Sequence, residues 1–151
     1  VICAYLDRRY GPTGLYPEDP EAYARALWFE KYCEACLMPA VGPVFFQRVL
    51  QPMLGNTPDD AAVTEALEQR QPPVFDYLDG EIDDRTFLAG GAFSIGDAAV
   101  VSAFINLELA GEVPDPDRYP NLARYLVAQY ERPSVAKWRS VALRFMEKRS
   151  R

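Results

Sequence analysis

The sequence predicts an all-α domain, a helical bundle packed around one capped central helix over residues 94–110. Three observations carry this. No run of alternating apolar residues is long enough to propose a sheet. Phe93-Ser94-Ile95-Gly96-Asp97 opens a stretch, Ala98 to Ile105, that is apolar on nearly every side, as a helix in the middle of a domain must be. The remaining apolar residues recur at helical spacing between segments that begin on Asp or on Pro.

The elements follow in order. Ile2, Tyr5 and Leu6 sit at helical spacing, so residues 1–10 read as the last turns of a helix, which Gly11-Pro12-Thr13-Gly14 ends. Leu15 to Pro20 reads as an extended linker. A helix of about ten residues is marginal alone, so this one is expected to pack on something upstream. The first long helix starts at Asp19 as cap with Pro20 at its first position. It runs through Ala22, Ala26, Phe29, Cys33 and Cys36 toward Leu50. Pro39 and Pro43 predict a kink or two stacked pieces, because each removes a donor and clashes with the preceding turn. Residues 51–58 read as a loop. Asp59-Asp60 open the next helix, where Pro72-Pro73 predict a sharp bend near Gln71. Ser94 and Asp97 form a capping box for the central helix, each side chain reaching the other's amide. Two more helices start at Tyr119-Pro120 and at Arg132-Pro133-Ser134.

Composition narrows the function. With 151 residues, 49% hydrophobic and 25% charged, the chain has the makings of one globular domain. A net charge of −6 argues against nucleic-acid binding, and no apolar run is long enough for a membrane span. There is no His, which removes imidazole acid/base work and His-ligated metal sites. Three Cys without a signal peptide point to reduced thiols in the cytoplasm. Cys33-Glu34-Ala35-Cys36 falls mid-helix, away from the helix N-terminus that would stabilise a thiolate, and no metal site is expected. The end of the chain is basic: from Arg132 onward seven basic residues face one acidic residue. Cations near the end of a last helix complement its dipole.

These motifs, taken in order, resemble the C-terminal domain of the cytosolic glutathione S-transferase superfamily, in its bacterial type. Val1-Ile2-Cys3-Ala4-Tyr5-Leu6-Asp7 resembles the end of the last helix of that family's thioredoxin-like domain. Leu15-Tyr16-Pro17-Glu18-Asp19-Pro20 resembles its interdomain linker. Phe87-Leu88-Ala89-Gly90 with Phe93-Ser94-Ile95-Gly96-Asp97 resembles its capped central helix, although Gly96 stands where the family usually has Ala. Tyr119-Pro120-Asn121-Leu122 and Glu131-Arg132-Pro133-Ser134 resemble its last two helix starts.

The resemblance implies a division at 1–10 (end of a thioredoxin-like domain), 11–20 (linker) and 21–151 (helical domain). It implies glutathione as co-substrate, held mainly by the upstream domain, which also supplies the thiol-activating residue, so no catalytic residue is expected in this chain. It implies a wall of an apolar-substrate pocket at Ala35, Met38 and Asn106, with Lys31 where some members reach the glutathione of a partner subunit. A homodimer through the first two long helices is also implied, with Glu30, Glu34, Glu65 and Glu68 at its rim. The activity implied is conjugation of glutathione to a small apolar electrophile. The alternative is a non-enzymatic protein-interaction module of the stringent-starvation or elongation-factor-associated type.

Overall fold

The computed structural model describes residues 1–149, and side chains through Met146. It is a bundle of helices, with no strand among the described residues. Helix α1 (Ile2–Tyr10) buries none of its residues. Asp19 caps α2 (Pro20–Tyr32), its carboxylate accepting from the Ala22 amide at 2.8 Å. The chain continues as helix through α3 (Met38–Phe45) and α4 (Gln51–Met53). Asp59 caps α5 (Asp60–Glu65), accepting from the amides of Ala61 and Ala62, and α6 (Gln71–Ile82) follows without a break.

Hydrogen-bonded helix runs on through the prolines, widening just before Pro39, Pro52 and Pro72, while Pro43 lies inside α3. Three π-helical turns, Cys33–Leu37, Phe46–Leu50 and Ala66–Arg70, join these segments. Their closing bonds run from the Met38 amide to the Cys33 carbonyl, from Gln51 to Phe46 and from Gln71 to Ala66. Each turn is followed by a proline: Pro39, Pro52 and Pro72. The residue four before each proline, whose carbonyl the ring would strike, is the middle of the wide turn: Ala35, Arg48 and Glu68. One extra residue in the turn moves that carbonyl aside and shifts the register, so that the missing donor is not needed. Helix geometry therefore persists to Met53, and the loop begins at Leu54 rather than at Gln51.

Helix α7 (Ile95–Leu109) is the central element, with Val100, Val101, Ala103, Phe104 and Leu107 buried. Helices α2 and α3 pack along it, and α6 pairs with α8 (Pro120–Tyr130). Phe29, Leu37, Val41, Val44, Leu78, Phe104, Leu122 and Tyr125 form the core. Phe75 stands between Phe104 and Tyr119 with ring centroids 5.2 and 5.4 Å away. Helix α8 has no cap of its own at Tyr119. Asp79 of α6 fills that role across the bundle, accepting from the Leu122 amide at 2.9 Å. Helix α9 (Pro133–Arg149) lies against α7 and α8. Among the described residues no helix is long and apolar enough to cross a membrane.

Candidate functional site

The start of α7 is held by a buried polar hub. Asp97 and Ser94 are fully buried. The Asp97 carboxylate accepts from the Ser94 amide at 2.8 Å and hydroxyl at 2.7 Å, from the Leu88 amide at 2.9 Å and from the Tyr125 hydroxyl at 2.7 Å. The Asp97 amide is 3.5 Å from Ser94 Oγ, completing the capping box. The Ile95 amide donates to the Leu15 carbonyl at 2.8 Å, which fastens the linker to the same helix end. The sequence announced the box; the bonds from Leu88 and Tyr125 come from distant chain segments and had no local signal. Desolvation, then the neighbouring carboxylate, pushes the Tyr125 phenol well above its ordinary range. The hub is sealed from solvent, so it organises the fold and offers nothing to a substrate.

An open apolar groove lies at the other end of α7, with a volume of about 390 Å³. Phe45, Val49, Leu50 and Met53 form one wall, around the second π turn, and Leu109 of α7 forms the floor. The facing wall is α9, through Trp138, Val141, Ala142, Phe145 and Met146. Trp138 is 65% exposed and Phe145 51%, unusual for side chains of this size unless something covers them. No lining residue carries a charge or a group that exchanges protons near neutrality. The groove can take up an apolar molecule by desolvation and cannot activate a thiol. A second cleft of about 570 Å³ runs between α1, the linker and the start of α2, past Asp7, Arg8, Tyr16, Glu18 and Tyr23. One of its walls is α1, which buries nothing, so it is the less preorganised of the two.

Residues 61–128 match the family model described as glutathione S-transferase, C-terminal domain. Glutathione S-transferase 1 of Zea mays is 31% identical over 138 residues, covering 91% of this chain and 64% of that protein. The chain is a C-terminal domain of the glutathione S-transferase superfamily. Two solved structures agree. Glutathione S-transferase-I bound with lactoylglutathione superposes with a TM-score of 0.81 at 28% identity, over 92% of this chain and 66% of that one. Glutathione S-transferase I from maize, in complex with an atrazine glutathione conjugate, superposes with a TM-score of 0.78 at 26% identity, over 95% and 66%. The chain thus spans about two-thirds of the length of these transferases.

The residues expected to line a transferase substrate pocket are not brought to the groove. Ala35 lies exposed in the first π turn, and Met38, 39% exposed, opens α3. Asn106 is half-buried on α7, and Lys31 is exposed and paired with Glu34 at 2.9 Å. The groove is lined instead by the second π turn, further along the same run of helix, and by α9. Phe29 is core, whereas the neighbouring Trp28 is 57% exposed and its Nε1 donates to the Tyr77 hydroxyl at 3.0 Å. Glu30 is half-buried, Glu68 is exposed and Glu65 pairs with Arg70 at 2.7 Å.

The basic end of the transferase domain is largely spent on local contacts. Arg132 covers the Phe93 ring at 4.3 Å, Arg139 pairs with Glu108, and Arg144 donates to the Ser140 carbonyl. The side chains of Lys148 and Arg149, and Arg151 itself, lie outside the described residues.

Cys33 and Cys36 are both free thiols. Cys33 is buried, its Sγ donating to the Ala99 carbonyl at 3.3 Å, and burial pushes its thiol up to about 11. Among the described residues no group of His, Cys, Asp or Glu could hold a metal ion. Titration with Ellman's reagent at pH 8 should therefore modify exposed Cys3 first and Cys33 only after denaturation. Equal rates for all three thiols in the native protein would contradict the burial of Cys33.

Proposed function

We propose that this domain is the apolar-substrate half of a glutathione S-transferase, and that the groove between the second π turn and α9 receives the electrophile. The observation that carries this is an open, uncharged groove of small-molecule size on a domain whose relatives conjugate glutathione by name. The maize enzyme solved with an atrazine glutathione conjugate supports an apolar partner for the thiol. Glutathione itself is bound and activated by a thioredoxin-like domain, the reading that the family resemblance of residues 1–20 supports. Residues 1–10 belong to that domain's last helix, 11–20 are the linker, and 21–151 form the helical domain. The exposed Ile2, Tyr5 and Leu6 of α1 are the surface the preceding domain covers. The active form is a cytoplasmic homodimer. Ala35, Met38 and Asn106 line the apolar-substrate pocket of the assembled enzyme, Lys31 reaches the glutathione of the partner subunit, and the groove takes the far end of the electrophile.

The test uses 1-chloro-2,4-dinitrobenzene and Leu50→Glu. The isolated chain should bind the compound without turning it over with glutathione. Leu50→Glu should weaken binding about tenfold or more, because a carboxylate in an apolar groove must be desolvated for the ligand to enter. Binding that is unaffected by Leu50→Glu would move the electrophile site elsewhere.

A further inference from the structure

Helix α9 is the least anchored wall of the groove. Among its described side chains none is fully buried, and Val135, Ala136, Arg139, Ala142, Leu143 and Met146 are half-buried. Seating of that kind gives little definition to where a helix rests. A polar contact made by Arg139 does give definition. Arg139 Nε donates to Glu108 Oε2 at 2.7 Å and its Nη2 donates to Glu108 Oε1, a two-pronged pair between α9 and the end of α7. The Glu108 side chain is only 18% exposed and that of Arg139 29%, so water competes weakly for the bonds. The guanidinium also lies 4.4 Å from the centroid of the Tyr130 ring, which ties α9 to α8 through the same side chain. A planar fork held by two acceptors and an aromatic face fixes direction as well as distance, which an ammonium would not.

The pair is placed where it governs the groove. Glu108 immediately precedes Leu109, the floor, and Arg139 immediately follows Trp138, the first residue of the facing wall. We propose that the Glu108–Arg139 pair sets the separation of α9 from α7, and through it the sizes of apolar ligand that the groove accepts. Arg139 is thereby a positioning residue that touches no substrate. The inference rests on the groove being the apolar-ligand site.

Two measurements test it. The first needs no ligand: hydrogen exchange of the ligand-free chain carrying Arg139→Gln. Amides over 135–146 should exchange about tenfold faster than in the wild type, while those of α7 stay unchanged. Unchanged exchange in α9 would overturn the proposal whether or not any ligand binds. The second compares toluene with the bulkier N-phenyl-1-naphthylamine. Arg139→Gln should shift the ratio of their dissociation constants about tenfold toward the larger probe. Glu108→Gln should reproduce the shift, and Arg139→Lys, which keeps the charge and loses the fork, should fall between. Equal weakening of both probes would reduce the pair to a structural role and overturn the selectivity. Failure of the wild type to bind either probe would instead overturn the groove reading, leaving the exchange result to decide the pair.

Discussion

Replacing Asp97 with Ala is expected to lower the stability of the domain by about 3–5 kcal/mol, close to the largest effect a single substitution commonly has. The carboxylate has no exposure and accepts four hydrogen bonds, from the Leu88 amide, the Ser94 amide and hydroxyl, and the Tyr125 hydroxyl. The two hydroxyls can turn toward other acceptors. The two amides cannot, because the backbone fixes them, and each buried amide left without a partner costs about 1–3 kcal/mol. The positive end of α7 also loses the charge it faces. Urea unfolding is the measurement, with the midpoint falling and the slope unchanged. A loss below about 1 kcal/mol would mean that water or rearrangement replaces the carboxylate, against the sealed hub described above. Tyr125→Phe isolates one strut and should cost about 1–3 kcal/mol. Folding raises the pKa of that phenol, so its contribution is complete below about pH 10 and fades only as pH climbs through the folded value.

Which features were legible follows from how far apart in the chain their parts lie. Asp19, Asp59 and the Ser94–Asp97 box are local devices, with donor and acceptor within three residues, and the sequence displays them whole. The partners of Asp97 nine and 28 residues away are not displayed, since nothing at Leu88 or Tyr125 says which carboxylate it will meet. The prolines show a different limit: Pro39, Pro43 and Pro72 read as interruptions of an ideal α-helix, and nothing local says that a π turn will precede Pro39 and Pro72 while Pro43 is taken within α3. The groove was hidden by the same limit. Trp138, Val141 and Phe145 lie at helical spacing and look like a core-facing stripe. Trp138, Val141 and Phe145 instead line an open groove, beside the Arg139–Glu108 pair that joins α9 to α7.

Gly96→Ala is the sharpest test of the packing, because two effects of known sign oppose each other there. On propensity alone, Ala in place of Gly favours a helix by up to about 1 kcal/mol, and relatives of this family usually carry Ala. The structure predicts the opposite outcome. A Cβ at position 96 would stand 2.9 Å from the Ala26 carbonyl oxygen and 2.9 Å from the Phe29 Cβ. Neither atom is the free end of a flexible side chain, and both Ala26 and Phe29 are fully buried. Room can be made only by moving α2 away from α7 along the main contact of the bundle. Overpacking of this kind costs about 1–3 kcal/mol, which exceeds the propensity gain, so a net loss is expected by urea or thermal unfolding. A gain in stability would mean that α2 and α7 lie further apart than described. A second substitution locates the collision: Ala26→Gly removes a methyl group but leaves the carbonyl, so it should not rescue Gly96→Ala. Rescue by Ala26→Gly would place the conflict at the Ala26 methyl group and refute the contact with its carbonyl.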